Sequence, residues 1–119
     1  MPLGLGARRS QLRAQAQTEV DVSQAELTLV RSRQAAELEE SRLAITLADQ
    51  QLDSERQRTQ LLGERSRLMQ RAFAAGEIDL AELLRTLRTS TEADASLARR
   101  HAEHGLAHAR LLQVIGMLP

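Results

Sequence analysis

Three histidines, His101, His104 and His108, stand at spacings of three and four residues. On a helix that spacing gathers them on one face, and His104 with His108 has the separation at which two imidazoles chelate a metal ion. The rest of a ligand set is not evident from the sequence. The chain has no cysteine, Glu103 would turn away from this face, and Asp94 lies two turns earlier. Leu97 and Leu111 flank the stripe, so the simpler expectation is a half-buried contact between helices, with no resident metal. Ser90, Thr91 and Asp94 near His101 supply the residue types of a hydrolytic triad, but such a site needs a shaped pocket and oxyanion donors. No phosphate-binding glycine loop is present. The expectation is a protein without catalytic residues or cofactor.

These residues must be positioned by helices. Between Ala7 and Leu118 there is no proline, and the glycines are Gly63, Gly76, Gly105 and Gly116. Proline costs roughly 3 kcal/mol inside a helix and glycine about 1, so helix stays open to nearly the whole chain, which is rich in Ala, Leu, Gln, Glu and Arg. The one break with turn chemistry is Phe73-Ala74-Ala75-Gly76-Glu77-Ile78: Gly76 can take positive φ after a helix end, and Asp79 can cap a following helix. The chain therefore reads as all-α, a long antiparallel hairpin of coiled-coil type. Its helices span about 8–74 and 79–115 around a turn at 75–78, with an irregular lead-in at 1–7 and a tail at 116–119. No strand of a β-barrel is legible, and residues 1–119 read as one unit.

Helices of these extents would be about 100 Å and about 55 Å long. The second then covers only part of the first, leaving Leu12, Val20, Val22, Leu27, Leu29 and Val30 without a partner. The first helix also carries two apolar stripes. Ala25, Leu29, Ala36, Leu43, Leu47, Leu61, Leu68 and Ala72 share one; Leu27, Val30, Leu38, Ile45, Ala48 and Leu52 form another on roughly the opposite side. In the second helix Leu80, Leu84, Leu87, Ala95, Ala98, Ala102, Leu106 and Ala109 share a stripe, with Leu83, Leu97, Leu111 and Ile115 to one side. A two-stranded coiled coil needs one seam, so two stripes predict neighbours on both flanks and self-association. The run from Asp53 to Gln60 has no apolar residue and reads either as solvated surface or as a polar seam.

Composition narrows the function classes. The chain is 42% hydrophobic but 1% aromatic, Phe73 being the sole aromatic residue, so its core is thin. Sixteen arginines balance sixteen acids without a basic block, which argues against nucleic acid. No apolar run approaches the ~20 residues of a spanning helix, and Met1 to Gly6 lacks the charge and length of a secretory signal.

The segment RAFAAGEIDLAELLRTLRTSTEADASLARRHAEHGLAHARLLQVIGMLP, Arg71 to Pro119, resembles the C-terminal end of outer-membrane efflux proteins of the TolC type. The resemblance rests on Phe73, Gly76, Glu77, the Leu83-Leu84 pair, Ala109-Arg110-Leu111 and Gly116. The opening PLGLGARRSQLRAQAQTEVDVSQAEL, Pro2 to Leu27, is similar to the start of that family's second helical repeat, most closely in the heavy-metal efflux branch. The family forms trimeric ducts with a helical tunnel through the periplasm, a long helix being flanked by two shorter ones. The resemblance implies a passive conduit driven by an inner-membrane pump. Its hairpin tip, here Phe73, Ala74, Ala75, Gly76, Glu77, Ile78 and Asp79, would meet a periplasmic adaptor. The first repeat and the barrel are missing, so the chain is expected to be part of a longer protein of the periplasm and outer membrane, reaching the membrane only through that barrel. On its own it would form a dimer or bundle. An adaptor's coiled-coil hairpin and a soluble oligomerising scaffold are the alternatives.

Overall fold

A computed structural model describes residues 2–117. Two helices account for nearly all of them: α1, Pro2–Ala74, and α2, Leu80–Met117. No strand occurs among the described residues, and the all-α helical hairpin expected from the sequence is what the chain forms.

The helix ends differ from expectation outside the turn. α1 begins at Pro2, and the expected irregular lead-in at 1–7 is helical from its second residue. Proline is tolerated in a helix's first turn, where its missing N–H would have no partner, and Gly4 and Gly6 cost helix stability without breaking it. At the other end α2 runs through Gly116 to Met117, so these two residues of the expected tail are helical; Leu118 and Pro119 lie outside the described residues.

The chain divides into two compact units, Met1–Glu37 and Leu38–Pro119. In the first unit every described residue from Gly4 to Arg33 is exposed. Leu12, Val20, Val22, Leu27, Leu29 and Val30 are among them, each about half open to solvent, as the excess length of the first helix predicted. The second unit is the hairpin.

Burial within the hairpin follows a heptad rhythm. Along α1 a series of covered positions runs through Leu38, Ser41, Ile45, Ala48, Leu52, Glu55, Thr59, Leu62, Ser66 and Met69; along α2 the matching series is Leu83, Thr86, Ser90, Ala93, Leu97, Arg100, His104, Ala107, Leu111 and Val114. Steps of three and four alternate without interruption on both helices, the spacing of knobs-into-holes packing. Cross-helix bonds mark the register: Thr59 Oγ1 donates to the Ala93 carbonyl at 3.3 Å, and Arg100 Nη1 donates to Gln51 Oε1 at 3.2 Å.

The seam is built from the leaner of the two stripes. Leu38, Ile45, Ala48 and Leu52 lie in it, whereas Leu43, Leu47, Leu61 and Leu68 of the other stripe stay exposed. On α2 the same division holds, with Leu83, Leu97 and Leu111 covered while Leu80, Leu84 and Leu106 are open. Among the described residues the buried apolar ones are Leu52, Leu83 and Ala93.

Polar residues fill the remainder. In the Asp53–Gln60 run Glu55 and Thr59 enter the interface while the other residues are exposed, so each of its two readings describes part of it. The buried Thr86 hydroxyl is satisfied by its own helix, donating to the Glu82 carbonyl at 3.1 Å. Ser66 Oγ is buried without a partner. Glu55 Oε2 also lacks a hydrogen bond, although the Arg58 guanidinium lies 3.5 Å away as an ion pair.

Ala93 is 0% exposed, and its size sets how closely the helices approach. Ala93→Leu is expected to force them apart and cost about 1–3 kcal/mol, the usual range for overpacking, read as a lowered midpoint in urea unfolding followed by circular dichroism. Gly63→Ala and Gly105→Ala should act oppositely. A β-carbon at either position meets nothing within 4 Å, so each change should add roughly 0.5–1 kcal/mol from helix propensity alone.

Candidate functional site

The tip is a turn whose every backbone device can be named. α1 ends at Ala74, and Gly76 adopts φ 75°. The Glu77 N–H donates to the Ala72 carbonyl at 2.9 Å and the Gly76 N–H to the Phe73 carbonyl at 3.0 Å. This pair of bonds around a left-handed glycine is the Schellman motif, which satisfies carbonyls that the end of a helix leaves open.

α2 is capped from the other side. Asp79 Oδ1 accepts the Glu82 N–H at 2.8 Å, and the Leu83 N–H reaches the Asp79 carbonyl at 3.2 Å. Glu82 stands at the third helical position, giving the Asp-x-x-Glu pattern of a capping box and a negative charge at the helix's positive end. Ile78 precedes the cap and Leu83 follows at the fourth helical position, the spacing of a hydrophobic staple; Ile78 is half-buried and Leu83 buried.

These assignments divide the seven expected tip residues. Gly76, Ile78 and Asp79 build the reversal itself. Phe73, Ala74, Ala75 and Glu77 are exposed around it, with the Phe73 residue 40% open. The exposed groups of the tip are one aromatic ring, two alanine methyl groups and the carboxylates of Glu77 and Asp79, the latter engaged as a cap.

A second constellation lies along the hairpin. His104 occupies the seam, where its Nε2 sits 2.5 Å from Asp49 Oδ1 of α1. The His104 and His108 rings have centroids 4.5 Å apart and planes inclined by 58°. One ligand-capable atom from each of Asp49, His104 and His108 falls within 4.8 Å of the others. His104 is half-buried, while Asp49 and His108 are exposed.

The expected half-buried contact between helices therefore describes His104. His101, named with the other two in the sequence, is exposed and stands apart from the cluster. The carboxylate that the sequence did not supply comes from the opposite helix: Asp49 lies 55 residues from His104, and only folding back at Gly76 reveals it. Glu103 is held elsewhere, accepting from Arg100 Nη1 at 2.8 Å. The Thr91 hydroxyl donates to the Leu87 carbonyl of its own helix at 3.0 Å.

Charges elsewhere in the hairpin pair within single helices, as Arg42 with Glu39 and Arg88 with Glu92. Such exposed pairs contribute about 0–1 kcal/mol. No helix among the described residues is long and apolar enough to cross a membrane. No family model, curated protein or solved structure matches the chain.

The two turn devices make separable contributions. Asp79→Ala is expected to cost about 1 kcal/mol through the lost cap. Gly76→Ala should cost a comparable amount, because alanine resists positive φ even where space is open. Urea unfolding of each variant measures these losses; a Gly76→Ala variant as stable as the parent would remove the left-handed requirement.

Proposed function

We propose that the chain is a tunnel segment of an outer-membrane efflux duct, a passive conduit whose tip docks on a periplasmic adaptor in a pump-driven export system. The observation that carries this reading is the distribution of leucine. A hairpin that functioned alone would bury its strongest apolar stripe. This one places Ser41, Glu55, Thr59, Ser66 and Ser90 along its seam, Ser66 buried and the others half-buried, and leaves Leu43, Leu47, Leu61 and Leu68 open. Leu47, Leu61 and Leu68 recur at multiples of seven residues, so they line one outer face of α1 and can accept a further helix by the same heptad packing.

A wall of helices satisfies that demand. In a ring each helix is flanked on both sides, and the polar inner seam becomes one of several contacts. The exposed Leu12, Val20, Val22, Leu27, Leu29 and Val30 of the first unit suit the second short helix that lies against the long one in TolC-type ducts. The tip agrees with the motif that carries the resemblance: Phe73, Gly76 and Glu77 surround the reversal, and the Leu83-Leu84 pair opens the returning helix.

The function needs no catalytic residue and no cofactor from this chain. What it requires is a rigid reversal, an exposed tip and lateral faces that associate. Gly76, Ile78 and Asp79 serve the first, Phe73, Ala74, Ala75 and Glu77 the second, and the outer leucines the third. Within this reading the parent protein is a trimer of the periplasm and outer membrane, and a piece without its barrel assembles as a dimer or bundle.

Sedimentation equilibrium of the chain tests the lateral faces. The wild type is expected to self-associate at about 100 µM, and Leu61→Glu with Leu68→Glu should return a monomer of unchanged helicity, since buried like charges are not tolerated at a packed interface. A wild-type monomer would remove this reading. For the tip, Phe73→Asp with Ala75→Arg in the export-competent parent should abolish export without disturbing its assembly. Unchanged export would exclude docking there.

A further inference from the structure

We propose that Asp49, His104 and His108 form a binding site for a divalent transition metal ion of the zinc class, clamping α1 to α2. The proposal does not depend on the duct reading, because it rests on three side chains of the hairpin alone.

Ligand chemistry comes first. Two imidazoles and one carboxylate form a mixed nitrogen and oxygen set, which suits zinc and its neighbours in the first transition row. The chain has no cysteine, so a thiolate site is excluded. Three protein ligands with a fourth position left to water is a common arrangement for zinc.

Geometry is the second support. In a tetrahedral site with metal–ligand bonds of about 2.0–2.1 Å, the donor atoms stand about 3.3 Å apart. The three donors here already lie within 4.8 Å of one another, so small rotamer changes close the site. Asp49 and His108 are exposed and have room to make them, while the half-buried His104 is the fixed point. The His104–Asp49 pair must open from 2.5 Å to admit an ion between its atoms, a movement that the exposed carboxylate allows.

The arrangement also explains a feature that helix pairing leaves without a role. A hydrogen bond between His104 and Asp49 needs only those two residues. His108 lies one helical turn beyond and brings a second imidazole to the same place. Two rings from successive turns, facing a carboxylate of the other helix, form a chelate whose closure requires the folded register. An ion bound there favours the paired hairpin over any state in which the helices separate.

The test uses the full chain and the metal alone. Calorimetric titration with zinc chloride at pH 7.5 is expected to give one site per hairpin, with thermal unfolding shifted upward by several degrees. Asp49→Asn and His108→Ala should each weaken binding at least tenfold, whereas His101→Ala should bind like the wild type. Histidine ring resonances of the unmodified chain give a second readout: zinc should move the His104 and His108 signals and leave His101 in place. Absence of binding up to 100 µM zinc would overturn the proposal. So would equal loss from His101→Ala and His108→Ala with Asp49→Asn unchanged, because the ion would then sit on one helix and clamp nothing.

Discussion

The reversal at Gly76 fixes the register on which everything else in the hairpin depends. The Schellman bonds set where α1 stops, and the Asp79 cap sets where α2 starts. Few residues lie between, so little freedom remains in the axial offset of the two helices. Once set, the offset propagates through the alternating three-and-four rhythm on both sides. Thr59 then meets Ala93, Gln51 meets Arg100, and Asp49 meets His104. A slip of one residue would rotate a helix face by about 100° and dissolve all three contacts together.

That dependence matters because the seam itself is weak. Its buried apolar residues are few, and serine, threonine, glutamate, arginine and histidine occupy positions that leucine takes in a strong coiled coil. Polar residues at seam positions lower stability but discriminate between registers. Here they penalise slippage that a uniform leucine seam would tolerate, and they leave the larger apolar area on the outside.

Much of this was legible in the sequence, and the failures have definite causes. The absence of internal proline and the turn chemistry of Phe73 to Asp79 placed the reversal within a residue or two. Pro2, Gly4 and Gly6 suggested an irregular start, yet helix reaches Pro2, because none of them blocks a first turn. Two apolar stripes were visible, but not which one the hairpin would close. A stripe of Leu43, Leu47, Leu61 and Leu68 outweighs one diluted by Ser41, Glu55 and Thr59, so hydrophobicity alone points to the wrong face. The seam reveals itself through periodicity shared by both helices, polar members included. Asp49 was missed for a related reason: a partner on the other arm is invisible to local spacing and appears only when the chain is folded at Gly76 and paired outward.

The hairpin is thus held by different forces along its length. At the tip the backbone does the holding, through the Schellman bonds and the cap. Packing dominates next, since the buried Leu52, Ser66, Leu83, Thr86 and Ala93 all lie in the part of the seam nearer the reversal. Farther out no seam residue is fully buried, from Leu38 to Ala48 on α1 and from Leu97 to Val114 on α2. There the cross-links are polar, Arg100 to Gln51 and His104 to Asp49. Local opening starts where burial is least, so the open end is where separation of the helices begins. A contact at Asp49 and His104 guards that end, and an ion that joins them acts where packing contributes least.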